Sequence, residues 1–328
     1  MKAVVFDGHR LELKDEETPR PAEGEVLIAV EACGVCRTDL HVVDGELSKP
    51  KLPLIPGHQV VGRIIESRSA LAVGRRVGVA WLASTCCSCK FCLDGRENLC
   101  RQALFTGYTR DGGYADMLVA SADYVYELSD DIDPISFSPL MCGGLIGWRA
   151  YKFARESLPA GGRLGIYGFG SAAHIIAQIA RADNFRVSAF VRHGDQEAAD
   201  FALEQGVDWA GFSDELPPQL LDAAIVFAPA GELVPAALRA TERGAAVILG
   251  GIHMSAIPSF PYEILWGERS LKSVANLTRM DGREFFGLLS GGRIKISTQV
   301  ETRPLAEAEG ALADLRAGKV KGSLSLKP

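Results

Sequence analysis

Cys36-Arg37-Thr38-Asp39-Leu40-His41 places a thiol, a hydroxyl, a carboxylate and an imidazole in one short stretch, with Gly57-His58 soon after and Cys142 far downstream. A catalytic zinc keeps three protein ligands and one open position. Cys36, His58 and Cys142 supply a Cys2His set for such a site. Thr38 could take the proton of an alcohol held there, and His41, whose ordinary pKa suits neutral pH, could pass it to solvent. Asp39 is placed to orient a ligand imidazole, although a loop cap is the plainer reading of that residue.

A second group is denser. Cys86, Cys89, Cys92 and Cys100 are spaced C-x2-C-x2-C-x7-C, and the last interval contains an Asp94-Gly95 turn. Four thiolates fill a tetrahedral metal site and leave nothing open for substrate, so the spacing predicts a structural metal. Zinc and an iron–sulfur cluster both fit that spacing. Eight cysteines in all point to metal before disulfide in a reducing compartment. Cys33 and Cys87 read as bystanders.

A third motif is Gly168-Phe169-Gly170-Ser171-Ala172-Ala173, between a predicted strand and a predicted helix. In that context the glycines allow a tight turn, and backbone amides at the helix N-terminus can meet a pyrophosphate. NAD-binding chains usually place an acid at the end of the next strand. Here Val187-Ser188-Ala189-Phe190-Val191 ends in Arg192-His193-Gly194. An arginine can pair with a 2′-phosphate, which favours NADP(H) narrowly over NAD(H); a solvated Arg192, or one stacked on adenine, is the plainer alternative.

These motifs need elements to hold them. At 328 residues the chain suggests two domains. Residues 1 to about 140 read as short strands, Met1 to Asp7, Glu25 to Glu31, Val60 to Glu66 and Arg76 to Ala80, separated by Gly- and Pro-containing turns. From about 145, strands alternate with helices: Arg163 to Tyr167, Ala172 to Ala182, Arg186 to Val191, Asp195 to Gln205, Leu221 to Ala228, Leu233 to Thr241 and Ala245 to Leu249. That alternation predicts an α/β domain with a parallel sheet. After about 277 the pattern is mixed and ends in a helix, Leu305 to Ala317, and a short strand.

Composition bounds the partners. The chain is 47% hydrophobic and 23% charged, with a formal net charge of -6. The negative charge argues against nucleic acid or an anionic membrane, and no apolar run reaches the length of a membrane span. The start, with Asp7 after a few apolar residues, lacks a signal-peptide core. A cytoplasmic protein acting on a small molecule is expected.

The combined motifs resemble the zinc-dependent alcohol dehydrogenases of the medium-chain dehydrogenase/reductase superfamily. The matching stretches are Glu31 to His41, Pro56-Gly57-His58, the cysteine lobe ending Gly95-Arg96-Glu97-Asn98-Leu99-Cys100, and Pro139-Leu140-Met141-Cys142-Gly143-Gly144. They come in that family's order, and the similarity runs over essentially the whole chain. The resemblance implies a GroES-like β-rich catalytic domain at 1–143 plus 277–328, with a structural zinc lobe at 84–101. It also implies a Rossmann doubly wound parallel-sheet cofactor domain at 144–276. It implies two zinc ions per chain: a catalytic one on Cys36, His58 and Cys142 and a structural one on the lobe. It further implies a Thr38–ribose–His41 proton relay, Arg37 near the pyrophosphate, and Leu47, Trp81, Ile146 and Ile252 near substrate or nicotinamide. A homodimer or homotetramer is implied as well.

The departures are specific. Gln59 follows His58 where the family usually has Glu, which puts ligand exchange at the zinc in question. Gly143 follows Cys142 where Ala is commoner. An arginine common near the cofactor phosphates is absent from Lys319-Val320-Lys321-Gly322-Ser323, and Arg279 is expected to compensate. The expected reaction is interconversion of primary alcohols and aldehydes by hydride transfer to or from NAD(P). One alternative is an NADP-dependent reductase of bulkier or aromatic aldehydes. Another is a non-catalytic zinc- and nucleotide-binding redox sensor.

Overall fold

The computed structural model describes residues 1–292 and 294–328. Strands β1 (Lys2–Phe6), β2 (Leu11–Asp15) and β3 (Glu25–Val35) lead into helix α1 (Arg37–Val43). Strands β4 (Gln59–Ser67), β5 (Arg76–Val79) and β6 (Leu82–Ser84) precede the cysteine lobe, which holds the short helix α2 (Lys90–Leu93). Strands β7 (Leu104–Phe105), β8 (Met117–Ser121) and β9 (Val125–Glu127) and helix α3 (Pro134–Phe137) follow. Next come α4 (Gly143–Arg155), β10 (Arg163–Tyr167), α5 (Ser171–Ala182), β11 (Arg186–Val191), α6 (Gln196–Glu204), β12 (Trp209–Phe212), β13 (Leu221–Val226), α7 (Leu233–Arg239), β14 (Thr241–Leu249) and β15 (Ser270–Ser273). The chain ends with α8 (Arg279–Ser290), β16 (Val300–Pro304), α9 (Ala308–Arg316) and β17 (Ser323–Lys327).

These elements form two compact units. The first holds Met1–Cys142, Asn276–Gly291 and Ser297–Pro328, and the second holds Gly143–Ala275 and Gly292–Ile296. The short segment Gly292–Ile296 thus joins the second unit, although the sequence places all of 277–328 with the first.

The first unit is built on a seven-stranded sheet ordered β16-β17-β3-β4-β5-β9, with β8 also paired to β3. Strand β3 is its spine. It runs four residues beyond the expected Glu31, and its inner residues Val26, Ile28, Ala32 and Cys33 have no exposed surface. The extension is driven by burial: Ala32, Cys33 and Gly34 pair with Val61, Val60 and Gln59 on β4, so the backbone polar groups of this buried stretch are satisfied by the ladder. That pairing brings the end of β3, which leads into Cys36, beside the start of β4, which follows His58. The core between the strands is closed by Ile64, Val77, Tyr114, Leu305, Leu312 and Leu326.

The second unit is a six-stranded, all-parallel sheet ordered β12-β11-β10-β13-β14-β15. The order reverses at β10, the first strand, which is the doubly wound arrangement with its switch point beside β10 and β13. Strands buried on both faces read as continuous apolar runs; Leu221-Asp222-Ala223-Ala224-Ile225-Val226 shows this, with Asp222 at its edge paired to Arg163 at 2.9 Å. Gly168 closes the turn after β10 with φ of +84°, and a Cβ there would meet the Cβ of Ala228 at 2.7 Å. Only glycine takes that conformation and that approach together.

Candidate metal centre and active site

Helix α1 is the anchor of the first cluster. Cys36 is its N-cap, and its Sγ accepts the Thr38 N–H at 3.3 Å. Asp39 closes the capping box by accepting the Cys36 N–H on Oδ2 at 2.9 Å. This reciprocal cap satisfies backbone donors at the helix start. It also fixes the Cys36 side chain, and a thiolate at a helix N-terminus is stabilised by the dipole. The other Asp39 oxygen lies 3.0 Å from Nδ1 of His58, with both side chains fully buried. That contact places the Nδ1 proton on the carboxylate side and turns Nε2 of His58 to within 3.5 Å of Cys36 Sγ. Cys142 Sγ stands 3.9 Å from Cys36 Sγ.

Gly57 makes the approach of His58 possible. Its φ is +92°, and a Cβ there would lie 2.3 Å from the ring of Tyr114. Tyr114 in turn donates its hydroxyl to Asp39 Oδ2 at 3.1 Å. Sequence reasoning did not find Tyr114; its place is set by the turn that returns Gly112 and Gly113 to the backbone of Ile55 and Gly57, which no local pattern announces.

Charge follows geometry. Burial would lower the His58 pKa, but the Asp39 carboxylate and the Cys36 sulfur outweigh it and raise it to about 10. The hydrogen bond from Cys142 holds Cys36 well below the usual thiol range despite burial, with the His58 charge and the Thr38 side chain adding to it. Giving that bond, together with burial, pushes Cys142 up. A carboxylate and thiols arranged this way demand a positive charge at their centre. A divalent metal meets that demand and displaces the protons. The distances fit: zinc–sulfur bonds of about 2.3 Å and zinc–nitrogen bonds of about 2.0–2.1 Å give tetrahedral S···S and S···N edges of roughly 3.8 and 3.6 Å. The observed edges are 3.9 and 3.5 Å. Among the described residues this cluster contains three ligand groups.

The second cluster is complete with four. Cys86, Cys89, Cys92 and Cys100 bring their sulfurs within 4.8 Å of one another, with edges of 3.9 Å (Cys86–Cys92), 3.6 Å (Cys89–Cys92) and 3.5 Å (Cys86–Cys100). Backbone N–H groups of Ser88 and Cys89 aimed at Cys86 lower its pKa to about 6, while burial and the neighbouring thiols raise that of Cys92 to about 11. Cys87 is exposed, with φ of +56°, and is not one of the four.

The remaining expected residues fall as follows. Thr38 and His41 lie buried on α1, and His41 Nδ1 meets the carboxylate of Glu46, a partially exposed partner that the sequence did not flag. Arg37, at the first position of α1, is exposed. Gln59 is buried opposite Gly34 in the β3–β4 ladder. Trp81 stands edge-on to His58, ring centroids 5.0 Å apart, and stacks with Phe105 at 5.3 Å and Tyr108 at 5.7 Å. Tyr108 donates its hydroxyl to the Ser48 carbonyl, tying the stack to the loop that carries Glu46 and Leu47. Leu47 and Trp81 belong to the first unit, Ile146 and Ile252 to the second. Phe169 is buried, Gly170 is the N-cap of α5, and Ser171 and Ala172 open its first turn. Arg192 is exposed after β11 and makes no ion pair among the described residues.

Arg279 has a partner within the first unit. Its backbone N–H and Nε both donate to Oε1 of Glu97, at 2.9 and 3.3 Å, and its guanidinium lies over the Tyr124 ring, 5.0 Å from the centroid. Glu97 is buried in the cysteine lobe. A buried carboxylate requires a charge partner, and that requirement engages the arginine expected to serve a cofactor phosphate.

The three-ligand cluster with an oriented imidazole and the separate four-thiolate lobe, on a β-rich unit followed by a doubly wound one, define a zinc-type nicotinamide dehydrogenase. Residues 22–130 match the family described as the alcohol dehydrogenase GroES-like domain. A probable alcohol dehydrogenase AdhA from Mycobacterium tuberculosis is 43% identical over 330 residues, covering 98% of this chain and 94% of that protein. An alcohol dehydrogenase from Geobacillus stearothermophilus is 36% identical over 341 residues, 100% of this chain and 99% of that one. The crystal structure of the alcohol dehydrogenase from the archaeon Aeropyrum pernix superposes with a TM-score of 0.88 at 26% identity, covering 100% of both chains. The chain belongs to the zinc-type medium-chain alcohol dehydrogenases, NAD(P)-dependent enzymes that interconvert alcohols and aldehydes. No helix among the described residues is long and apolar enough to cross a membrane.

Proposed function

We propose that this chain oxidises primary alcohols and reduces the matching aldehydes with NADP(H). One zinc is held by Cys36, His58 and Cys142 and a second, structural one by Cys86, Cys89, Cys92 and Cys100. The observation that carries the reading is the separation of Cys36 Sγ from His58 Nε2 and from Cys142 Sγ, which matches two edges of a tetrahedral site, with all three ligand atoms within 4.8 Å of one another. When bound, the ion supplies Lewis-acid chemistry at an alcohol oxygen and the nicotinamide supplies the hydride acceptor.

The chain's own residues do the rest. Asp39 holds His58 in the tautomer that presents Nε2. Thr38 would accept the substrate hydroxyl proton at its own hydroxyl while releasing the proton it already carries. His41, one turn on, carries it toward Glu46, whose carboxylate reaches solvent. Arg37 and the Gly168–Ala172 turn bind the pyrophosphate, and Arg192 pairs with the 2′-phosphate. Ile146 and Ile252 line the nicotinamide side, and Leu47 and Trp81 the substrate side. Gln59, neutral where the family usually has an acid, leaves the centre less negative and slows ligand exchange. Eight thiols fit a reducing cytoplasm. The exposed edge strand β15, with Tyr262 and Trp266 preceding it, supports assembly as a homodimer or homotetramer.

A second reading, an NADP-dependent reductase of bulky or aromatic aldehydes, draws on the Trp81–Phe105–Tyr108 stack. Flat aromatic walls favour flat substrates.

Steady-state rates with NAD and NADP in parallel, on zinc-replete protein and over small and aromatic alcohols, test all of this. Arg192→Ser is expected to raise the KM for NADP roughly tenfold or more, the worth of a charge-assisted hydrogen bond, and to leave the KM for NAD unchanged. An unaltered NADP KM contradicts the cofactor choice, and absence of alcohol oxidation contradicts the reaction.

A further inference from the structure

Helix α5, which opens at the Gly168-Phe169-Gly170 turn, carries a histidine with no part in the chemistry above. His174 has no exposed surface. Its ring stands edge-on to Phe201, centroids 6.3 Å apart, and Phe201 stands edge-on to Phe169 at 6.1 Å. Nδ1 of His174 lies 3.3 Å from the Gly170 carbonyl oxygen. The same oxygen accepts the first helical bond, from the His174 N–H, at 3.1 Å. Nε2 is buried with no polar partner among the described residues.

A neutral imidazole carries one N–H. Only Nδ1 has an acceptor here, and an unprotonated Nδ1 would set a lone pair against the carbonyl oxygen. The proton therefore resides on Nδ1, and the Nε2 lone pair is left among apolar neighbours. Burial pushes the His174 pKa down, which keeps the ring uncharged at neutral pH.

We propose that His174 is a positioning residue for the cofactor turn: by donating Nδ1–H to the Gly170 carbonyl it locks the Gly170–Ser171 peptide so that the Ser171 N–H points out of the α5 N-terminus toward the cofactor pyrophosphate. The inference rests on the reading of Gly168–Ala172 as the pyrophosphate cradle. A peptide unit is planar and trans, so the direction of a carbonyl and that of the following N–H are a single variable. Gly170 is the residue with the most freedom to rotate that plane, and as the N-cap of α5 it makes no side-chain capping bond. The imidazole, one turn inside the helix, supplies from below the restraint that a capping side chain supplies from outside.

The test compares two variants by direct titration with NADPH and NADH, followed by fluorescence. His174→Phe keeps ring volume and the contact with Phe201 but has no N–H. His174→Asn loses ring packing, but its Nδ2–H takes the place of the Nδ1–H. Positioning predicts that His174→Phe raises the Kd three- to tenfold, the range of one neutral hydrogen bond, while His174→Asn stays within about twofold of the wild type. A purely structural role predicts the reverse order. A wild-type Kd in His174→Phe, or a loss in His174→Asn as large as in His174→Phe, overturns the proposal. Should either variant fail to fold, the nitrogen-15 spectrum of His174 in the wild-type protein without cofactor decides. A protonated Nδ1 supports the proposal and a protonated Nε2 overturns it. That measurement needs no bound nucleotide, so it stands apart from whether the wild type binds NADPH or NADH, which tests the cradle itself.

Discussion

Asp39 decides how the proposed metal ligands are held. One oxygen faces Nδ1 of His58, and the other takes the Cys36 N–H and the Tyr114 hydroxyl. A single carboxylate thus orients two of the three ligands. Asp39→Asn keeps the shape but turns one acceptor into a donor. It is expected to weaken zinc at this centre by 10- to 100-fold, the usual cost of losing such a partner, as read by competition with a chelator, with the four-cysteine zinc retained. Unchanged affinity would show that His58 is oriented by packing alone. At this scale the sequence was informative where groups are neighbours in the chain. Cys36, Thr38 and Asp39 share one capping box, and a capping box is a local pattern. Tyr114 was invisible because it reaches Asp39 across 75 residues through tertiary packing, and Glu46 because an exposed acid in a loop has no distinguishing signature.

Among the elements, the cysteine lobe and α8 are joined by the buried Glu97 and Arg279. The resemblance led to Arg279 as a stand-in for an absent phosphate-binding arginine, and nothing local in the sequence announced its pairing with Glu97. Charge in a sequence gives sign but not address, and a buried carboxylate needs a charged partner. Arg279→Ala is expected to destabilise the protein by about 1–3 kcal/mol, less than a fully buried pair would because the arginine is about a third exposed. Urea unfolding measures this, and the KM for the cofactor should not move. A raised cofactor KM with unchanged stability would show that Arg279 serves the phosphate instead. Strand and helix placement was legible along α5, β11 and α6, where period and turn residues agree, whereas α4 and α8 were not singled out. The four-residue extension of β3 beyond Glu31 was not, because its reason is the partner strand β4 rather than anything in Ala32 to Val35.

For the whole molecule, the change from a strand-and-turn pattern to alternating strands and helices near residue 145 corresponds to the start of the second unit at Gly143. The strand order β12-β11-β10-β13-β14-β15 could not be read from the chain, because order depends on which strands meet across crossovers. Acid stability offers a test of the second unit's interior. His174 has a folded pKa depressed by burial, so its neutral form contributes stability that is present above the unfolded histidine value of about 6.5 and is lost as pH falls below it. The stability difference between wild type and His174→Phe should therefore shift in favour of the variant as pH drops from about 7 to about 5. A difference that is flat across that window would contradict a neutral, buried His174.

The central claim is that Cys36, His58 and Cys142 hold a zinc on which alcohol oxidation depends. Metal analysis of wild type and His58→Ala, paired with alcohol-oxidation rates and NADPH binding on the same samples, tests it most directly. The account predicts two zinc ions per wild-type chain and one in His58→Ala, with turnover abolished and NADPH binding retained. Full activity in the one-zinc variant, or in metal-free wild type, would contradict it.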